Sequence, residues 1–225
     1  MGKTAIVLGA TGLTGENLLE KLLNDSDYSR IVLFSRSACG IKHSKITEYL
    51  IDMFELDNYK TLFRADVVFC CIGTTQSKTP DKAIYHKIDY GIPVAAANLC
   101  VKNNIDRFIC ISALGANSTS KVFYNRTKGE MEAVVLSLKI KHTYLLQPSL
   151  IVGSRKEFRF GEVMGKMVMK VLSPLFRGSL KKYKPIESKT IASAMLWLAE
   201  QGYELQCIPS ENIKEIAKIY DRNRA

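Results

Sequence analysis

Tyr124 and Lys128 stand four residues apart in the segment Tyr124-Asn125-Arg126-Thr127-Lys128, a spacing that puts both side chains on one face of a helix. An ammonium beside a phenol favours the phenolate and draws the tyrosine pKa toward neutrality, as a general acid–base requires. Ser112, upstream at the end of an apolar run, would hydrogen-bond a substrate oxygen or merely cap a strand end. A tyrosine–lysine pair at this spacing is common on helix surfaces, so its meaning rests on its surroundings.

Those surroundings begin with Gly9-Ala10-Thr11-Gly12-Leu13-Thr14-Gly15. The loop follows an apolar strand and opens a helix, the context in which such a glycine pattern binds a dinucleotide. Gly9 permits the tight turn, Gly12 lets the backbone approach a pyrophosphate, and Gly15 allows close packing of helix on strand. The helix N-terminus then offers unpaired N–H groups and a partial positive charge. The second strand ends in Phe34-Ser35-Arg36-Ser37, where an NAD-binding chain usually carries an acidic residue for the ribose 2′-hydroxyl. Arg36 cannot accept that hydrogen bond, but its planar fork suits a 2′-phosphate, and Ser35 adds a donor. The cofactor expected is NADP(H). Asp52 and Met53 would flank its adenine, while Cys71, Ile72, Gly73 and Thr74 end the fourth strand at the carboxyl edge, where ligands of open α/β sheets lie. Lys128 would also hold the nicotinamide ribose, and Gln147-Pro148 would turn beneath the nicotinamide.

The elements that must position these groups alternate from the start. Apolar runs at residues 4–8, 30–34, 46–51, 65–72, 107–112 and 143–146 read as strands, the fourth nearly continuous in apolar residues as in a strand buried on both faces. Residues 13–24 carry a helical apolar stripe, residues 124–139 read as another helix, and residues 83–103 as a long one kinked or delayed at Gly91 and Pro93. Helices are also expected at 160–172, within 186–202 around Trp197, and at 213–220. The pattern is α/β, a doubly wound parallel sheet of the Rossmann type. One domain spans 1–225, with residues 153–225 forming a small C-terminal cap that supplies the substrate side.

At 225 residues, 47% hydrophobic and 24% charged, the chain can bury a core without disulfides or a structural metal. No C-x-x-C pair or zinc-spaced cluster occurs among Cys39, Cys70, Cys71, Cys100, Cys110, Cys207 and the isolated His43, His86 and His142, so no metal is expected. Cys70, Cys71 and Cys110 fall in strands, where a thiol acts as a small hydrophobe. The net charge of +10 is spread along the chain, which fits an anionic cofactor and solvated lysines better than nucleic acid. No apolar run approaches a membrane span, and Gly2-Lys3-Thr4 leads straight into a strand with no secretory h-region, so a cytoplasmic location is expected. Arg155, Lys156 and Arg159 would attract an anionic substrate if they line its wall, or form a solvated loop. Met164, Met167 and Met169 read as a helix's core stripe or a pliable pocket. Monomer and homodimer both remain open.

GATGLTG, FSRS, CIGTT, SALGANSTSKVFYNRTKGEMEA and YLLQPSLIVG together resemble the short-chain dehydrogenase/reductase superfamily. More closely, the chain is similar to the atypical branch containing the Tat-interactive-protein-like oxidoreductases. The resemblance implies a Rossmann domain with NADP(H) contacts at Gly9, Thr11, Gly12, Leu13, Thr14, Gly15, Ser35, Arg36, Asp52, Gly73, Thr74, Tyr124, Lys128 and Pro148. It also implies an active-site asparagine, for which Asn98 is a candidate. The function expected is NADP(H)-dependent hydride transfer to or from a small carbonyl or alcohol, with Tyr124, Lys128 and Ser112 as the catalytic group. A non-catalytic NADP(H) sensor acting through a protein partner, and an epimerase or lyase with tightly held cofactor, share the same cofactor residues.

Overall fold

The computed structural model describes residues 2–153 and 183–224. The chain enters through β1 (Lys3–Leu8) and α1 (Leu13–Asn24), followed by β2 (Tyr28–Ser35) and β3 (Ile46–Leu50). A 3-10 segment, Met53–Tyr59, leads to β4 (Val67–Cys70). Next come α2 (Lys82–His86), a π-turn over Lys87–Gly91, α3 (Ile92–Lys102), β5 (Arg107–Ile111), α4 (Phe123–Ser137) and β6 (His142–Gln147). The remaining described elements are β7 (Ile151–Val152), β8 (Ile186–Glu187), α5 (Ser188–Glu200), β9 (Cys207–Pro209) and α6 (Ser210–Asn223).

Seven strands form one sheet in the order β3-β2-β1-β4-β5-β6-β9, every neighbouring pair parallel. This is the Rossmann winding, and its order reverses between β1 and β4, so the carboxyl ends of those two strands open the crevice where ligands of such sheets lie. The register sets Ala5 opposite both Ile31 and Val67, which keeps the ends of β1, β2 and β4 level. Side chains alternate across the sheet. Ala5, Val7, Leu33 and Phe69 join one apolar layer under α1, α5 and α6, whereas Ile6, Leu8, Phe34 and Val68 join another under α3 and the 3-10 segment.

The stretch expected as one kinked helix over 83–103 is helical without a break from Lys82 to Lys102, in three consecutive segments whose junction residues His86, Gly91 and Ile92 keep right-handed helical angles. Asp81 caps the first, its Oδ1 accepting from the N–H groups of Ala83 and Ile84 at 2.7 and 2.9 Å. The π-turn then carries the chain to α3, where Pro93 falls in the first turn and its missing N–H breaks no ladder bond. β4 is shorter than the expected 65–72; Cys71 N–H still donates to Leu8 O of β1 at 2.9 Å, and the ladder ends there. β9 was not anticipated: three residues are too few to show a period, and only pairing with β6 makes them a strand. Of residues 153–225, those at 183–224 supply β8, β9, α5 and α6. The expected helix at 160–172 and the side chains of Arg155, Lys156, Arg159, Met164, Met167 and Met169 lie outside the described residues.

Candidate active site

The glycine loop closes over the β1 end with little room. Gly9 sits at φ 80°, and a Cβ there would meet the Cys71 carbonyl carbon at 3.0 Å. The Gly12 N–H donates to Gly9 O at 3.0 Å. A Cβ on Gly15 would lie 2.0 Å from Gly9 O, so only glycine lets α1 start this close to the strand. Gly12 is the N-cap of α1 and no side chain caps that turn, which leaves first-turn N–H groups for a ligand. The two-stranded β7–β8 ribbon fixes the same turn from above. A Cβ on Gly153 would touch Leu13 Cδ1 at 3.0 Å, and Asn17 Nδ2 donates to Leu13 O at 2.8 Å and to Ser188 Oγ at 3.2 Å.

At the end of β2, Ser35 is buried and its Oγ meets no hydrogen-bond partner among the described residues. Arg36, next in the chain, is exposed and makes no ion pair among them. Asp52 has a local duty as well, since its Oδ1 accepts from Phe54 N–H at 2.9 Å and caps the 3-10 segment. Met53 is buried against the second apolar layer.

At the β4 end the structure brings together groups separated widely in sequence. A Cβ on Gly73 would lie 3.4 Å from Asp89 Oδ1 and 3.8 Å from Lys128 Nζ. Asp89 and Lys128 form an ion pair at 2.9 Å with side chains 1% and 3% exposed. Thr74 N–H donates to Asp89 Oδ2 at 2.8 Å, and Lys128 Nζ donates to Ile111 O at 3.4 Å. Burial alone would depress the lysine pKa, but Asp89, Cys110 and Tyr124 outweigh it, so the net shift is upward and Lys128 stays charged. Asp89 is the member that reading by motif missed. The asparagine sought at Asn98 bonds within its own helix, Nδ2 donating to Val94 O at 2.9 Å.

Tyr124 opens onto solvent, 40% exposed, with Tyr85 edge-on at 6.5 Å between ring centres. Burial of the phenol raises its pKa, Lys128 lowers it, and Asp89 raises it; the net direction is upward. That differs from the drop toward neutrality expected of an adjacent ammonium, because burial of the phenol outweighs the ammonium's pull. Water at the open face screens part of the burial effect.

The far wall comes from β5 and β6. Ser112 is buried, its N–H donates to Leu146 O at 2.7 Å, and its Oγ has no partner in good geometry among the described residues. The hydroxyl still lies near enough to Glu132 to favour that carboxylate. Glu132, one turn beyond Lys128, is buried and accepts from Gln147 Nε2 at 2.9 and 3.0 Å. Burial raises its pKa more than these contacts lower it. Pro148 is buried too, its carbonyl accepting from Leu114 N–H at 2.9 Å. Gly129 sets the height of α4, since a Cβ there would come within 2.2 Å of the Asn117–Ser118 backbone. All six cysteines are free thiols, and Cys71 is only half-buried, its Sγ 3.9 Å from Met195 Sδ.

A glycine cradle at the switch point of a parallel sheet, with a helix tip aimed into it, defines a dinucleotide-binding Rossmann domain. A family model described as NAD(P)H-binding matches residues 9–162, more than half of the sequence, and the chain belongs to that family. Protein HTATIP2 of Rattus norvegicus is 30% identical over 168 residues, which span 73% of this chain and 69% of that one. The mitochondrial protein FMP52 of Candida glabrata is 26% identical over 231 residues, 97% of this chain and 96% of its own length. Among solved structures, UDP-glucose 4-epimerase of Thermotoga maritima matches with a TM-score of 0.69 at 15% identity, covering 97% of this chain and 82% of that one. At that identity the likeness concerns the fold alone.

The fungal relatives overturn the expected cytoplasmic location, because proteins matching nearly the whole chain are named mitochondrial. Mitochondrial addresses do not use an apolar h-region, so that feature carries no weight against such a location. Among the described residues, no helix is long and apolar enough to cross a membrane.

Proposed function

We propose that the chain is an NADP(H)-dependent oxidoreductase that moves a hydride to or from a small carbonyl or alcohol, with residues 153–225 contributing the substrate side of a single domain. The observation that carries this reading is the placement of Lys128 beside Gly73 at the mouth of the β1–β4 crevice, on the helix that bears Tyr124.

The crevice fits the cofactor. The cramped glycine turn, the uncapped helix tip and the unpartnered Ser35 hydroxyl are three separate features that a bound dinucleotide would complete. Gly9, Thr11, Gly12, Leu13, Thr14 and Gly15 would hold the pyrophosphate. Ser35 and Arg36 would hold the 2′-phosphate, Asp52 and Met53 the adenine side, and Cys71, Ile72, Gly73, Thr74 and Pro148 the remainder. When bound, the cofactor supplies the hydride. Ser112, its buried Oγ free to donate, would orient the substrate oxygen. Tyr124 would exchange a proton with that oxygen, and Lys128 would hold the ribose while acting electrostatically on the phenol.

Tyr124→Phe tests the reading. Turnover of a carbonyl panel should fall by roughly 10²-fold or more while NADPH binding by calorimetry stays near wild type. Unchanged turnover would refute the tyrosine's role, and a wild-type chain that ignores both NADPH and NADH would refute the site. Tight NADPH binding with no carbonyl able to oxidise it would mark a sensor instead.

A further inference from the structure

Past the end of β6, Ser149 is turned inward and its neighbour Leu150 outward. Ser149 N–H donates to Ser210 Oγ at 3.2 Å, Ser149 Oγ donates to Lys184 O at 2.6 Å, and Leu150 O accepts from Ile186 N–H at 3.0 Å. The backbone around Leu150 is therefore fixed, yet its side chain is 70% exposed, the most exposed large apolar side chain among the described residues. Val122, the N-cap of α4, is held in the same way. Its N–H donates to Ser120 Oγ at 3.1 Å, its carbonyl accepts from Arg126 N–H at 2.9 Å, and its side chain is 58% exposed. A fixed apolar side chain in water forgoes the burial that usually offsets the cost of ordering it.

A path of contacts links these two residues along the crevice rim. Leu150 follows Pro148 by two residues, and Pro148 O accepts from Leu114 N–H at 2.9 Å. Gly115, next in that loop, packs on Asn125, where a Cβ would lie 3.1 Å from Nδ2. Asn125 adjoins Tyr124, and both Tyr124 and Leu114 are partly open to solvent. Exposed apolar groups gathered at one place mark a binding surface, whereas scattered ones need no explanation.

Polar partners are few along this rim. Ser112, two residues before Leu114, keeps a buried Oγ without a partner among the described residues. The lysines and the arginine of α2 and α4 are committed. Lys82 and Arg126 lie over the Phe123 ring at 5.6 and 5.8 Å, Arg126 also donates to Ser120 O at 2.9 Å, and Lys128 pairs with Asp89. One carbonyl oxygen would satisfy Ser112 and Tyr124. Each further hydroxyl of a sugar, or the carboxylate of an acid, would lose water without gaining a partner there.

We infer that the substrate of the proposed reductase is an apolar ketone or aldehyde, whose chain of several carbons lies along Leu114, Val122 and Leu150 while its oxygen meets Tyr124 and Ser112. This names the substrate class of the function proposed above and rests on it. The carbonyl carbon gains a hydride, with its two electrons, from the reduced nicotinamide cofactor, which is oxidised. As the C=O π bond opens, the oxygen takes the proton released when the Tyr124 O–H bond breaks. The phenolate recovers a proton from water at the exposed face of the residue, and the product is the apolar alcohol.

The test is calorimetric titration of the NADPH-loaded full chain with neutral primary alkyl amides of increasing length, whose carbonyl accepts a hydrogen bond but no hydride. Affinity should rise by about fourfold per added carbon over the first few, the roughly 0.8 kcal/mol of one buried methylene. In Leu150→Asp and Val122→Asp, both changes of exposed side chains, the rise should fall below about twofold per carbon, because a carboxylate there must lose water to the chain. NADPH affinity should stay at the wild-type value in both. Methyl ketones from butanone to nonanone, followed by NADPH oxidation, should show the same length dependence in kcat/KM and exceed the keto acid or sugar aldehyde of equal length. The inference is overturned by an amide affinity indifferent to length, or by the wild-type rise in both variants. It is overturned equally by preference for the keto acid, which would make Lys121, exposed beside Val122, an anion binder. Amides bound with the expected rise while no ketone is reduced would sink the proposed activity and leave the apolar surface standing. Ketones reduced equally at every length would keep the activity and sink the apolar substrate.

Discussion

Lys128→Met exposes how much of the fold depends on the pair at the crevice. The substitution keeps most of the apolar stem and removes an ammonium 3% exposed that stands 2.9 Å from a carboxylate 1% exposed. Asp89 then retains one hydrogen bond, from Thr74 N–H at 2.8 Å. Removing one partner of a buried ion pair costs about 3–5 kcal/mol, because the other charge is left uncompensated away from water. Against a usual domain stability of roughly 5–15 kcal/mol, that is a large share of the total. Asp89→Asn/Lys128→Met should recover most of the loss, since no lone charge remains. Equilibrium unfolding in urea without cofactor measures both. Trp197, the single tryptophan, packs edge-on against Tyr203 at 6.0 Å between ring centres and reports the transition by fluorescence. The midpoint should fall with little change in the denaturant slope. A Lys128→Met chain within about 1 kcal/mol of wild type would refute the reasoning, because that is the behaviour of a solvated pair. So would a double variant no more stable than the single one.

Arg36→Ala should weaken NADPH binding by about 10- to 100-fold, corresponding to the roughly 1.5–3 kcal/mol of a hydrogen bond to a charged group, and leave NADH binding unchanged. Calorimetry with both cofactors checks this, and equal losses would remove Arg36 from the 2′-phosphate. Glu132 has a pKa raised by burial, so the stability it contributes is fully present below its unfolded value and is lost as pH rises through the folded one. Glu132→Gln should therefore gain thermal stability over wild type at neutral pH and lose that advantage near pH 4.5, the ordinary glutamate value; an equal difference at both pH values would refute it.

Much of this site is legible from local pattern. The glycines at 9, 12 and 15, the Ser35-Arg36 pair after β2 and the Tyr124–Lys128 spacing are each encoded within a few residues, because a turn, a strand end and a helix face are local objects. The parallel winding is legible for a similar reason, since strands buried on both faces show as apolar runs. Asp89 looks from its neighbours like a surface residue in a helix. It becomes the partner of Lys128 only because the π-turn redirects it and the sheet brings α4 alongside. Gly129 reads as a weak point in a helix until the Asn117–Ser118 backbone is seen pressed against it. Glu132 and Gln147 meet across two elements, and β9 exists only through β6. The sequence by itself determined the cofactor cradle and the tyrosine–lysine pair, whose geometry is short-range. The tertiary structure alone decided which carboxylate meets Lys128, because charge compensation in a buried site depends on which distant side chains the packing brings within a few ångströms.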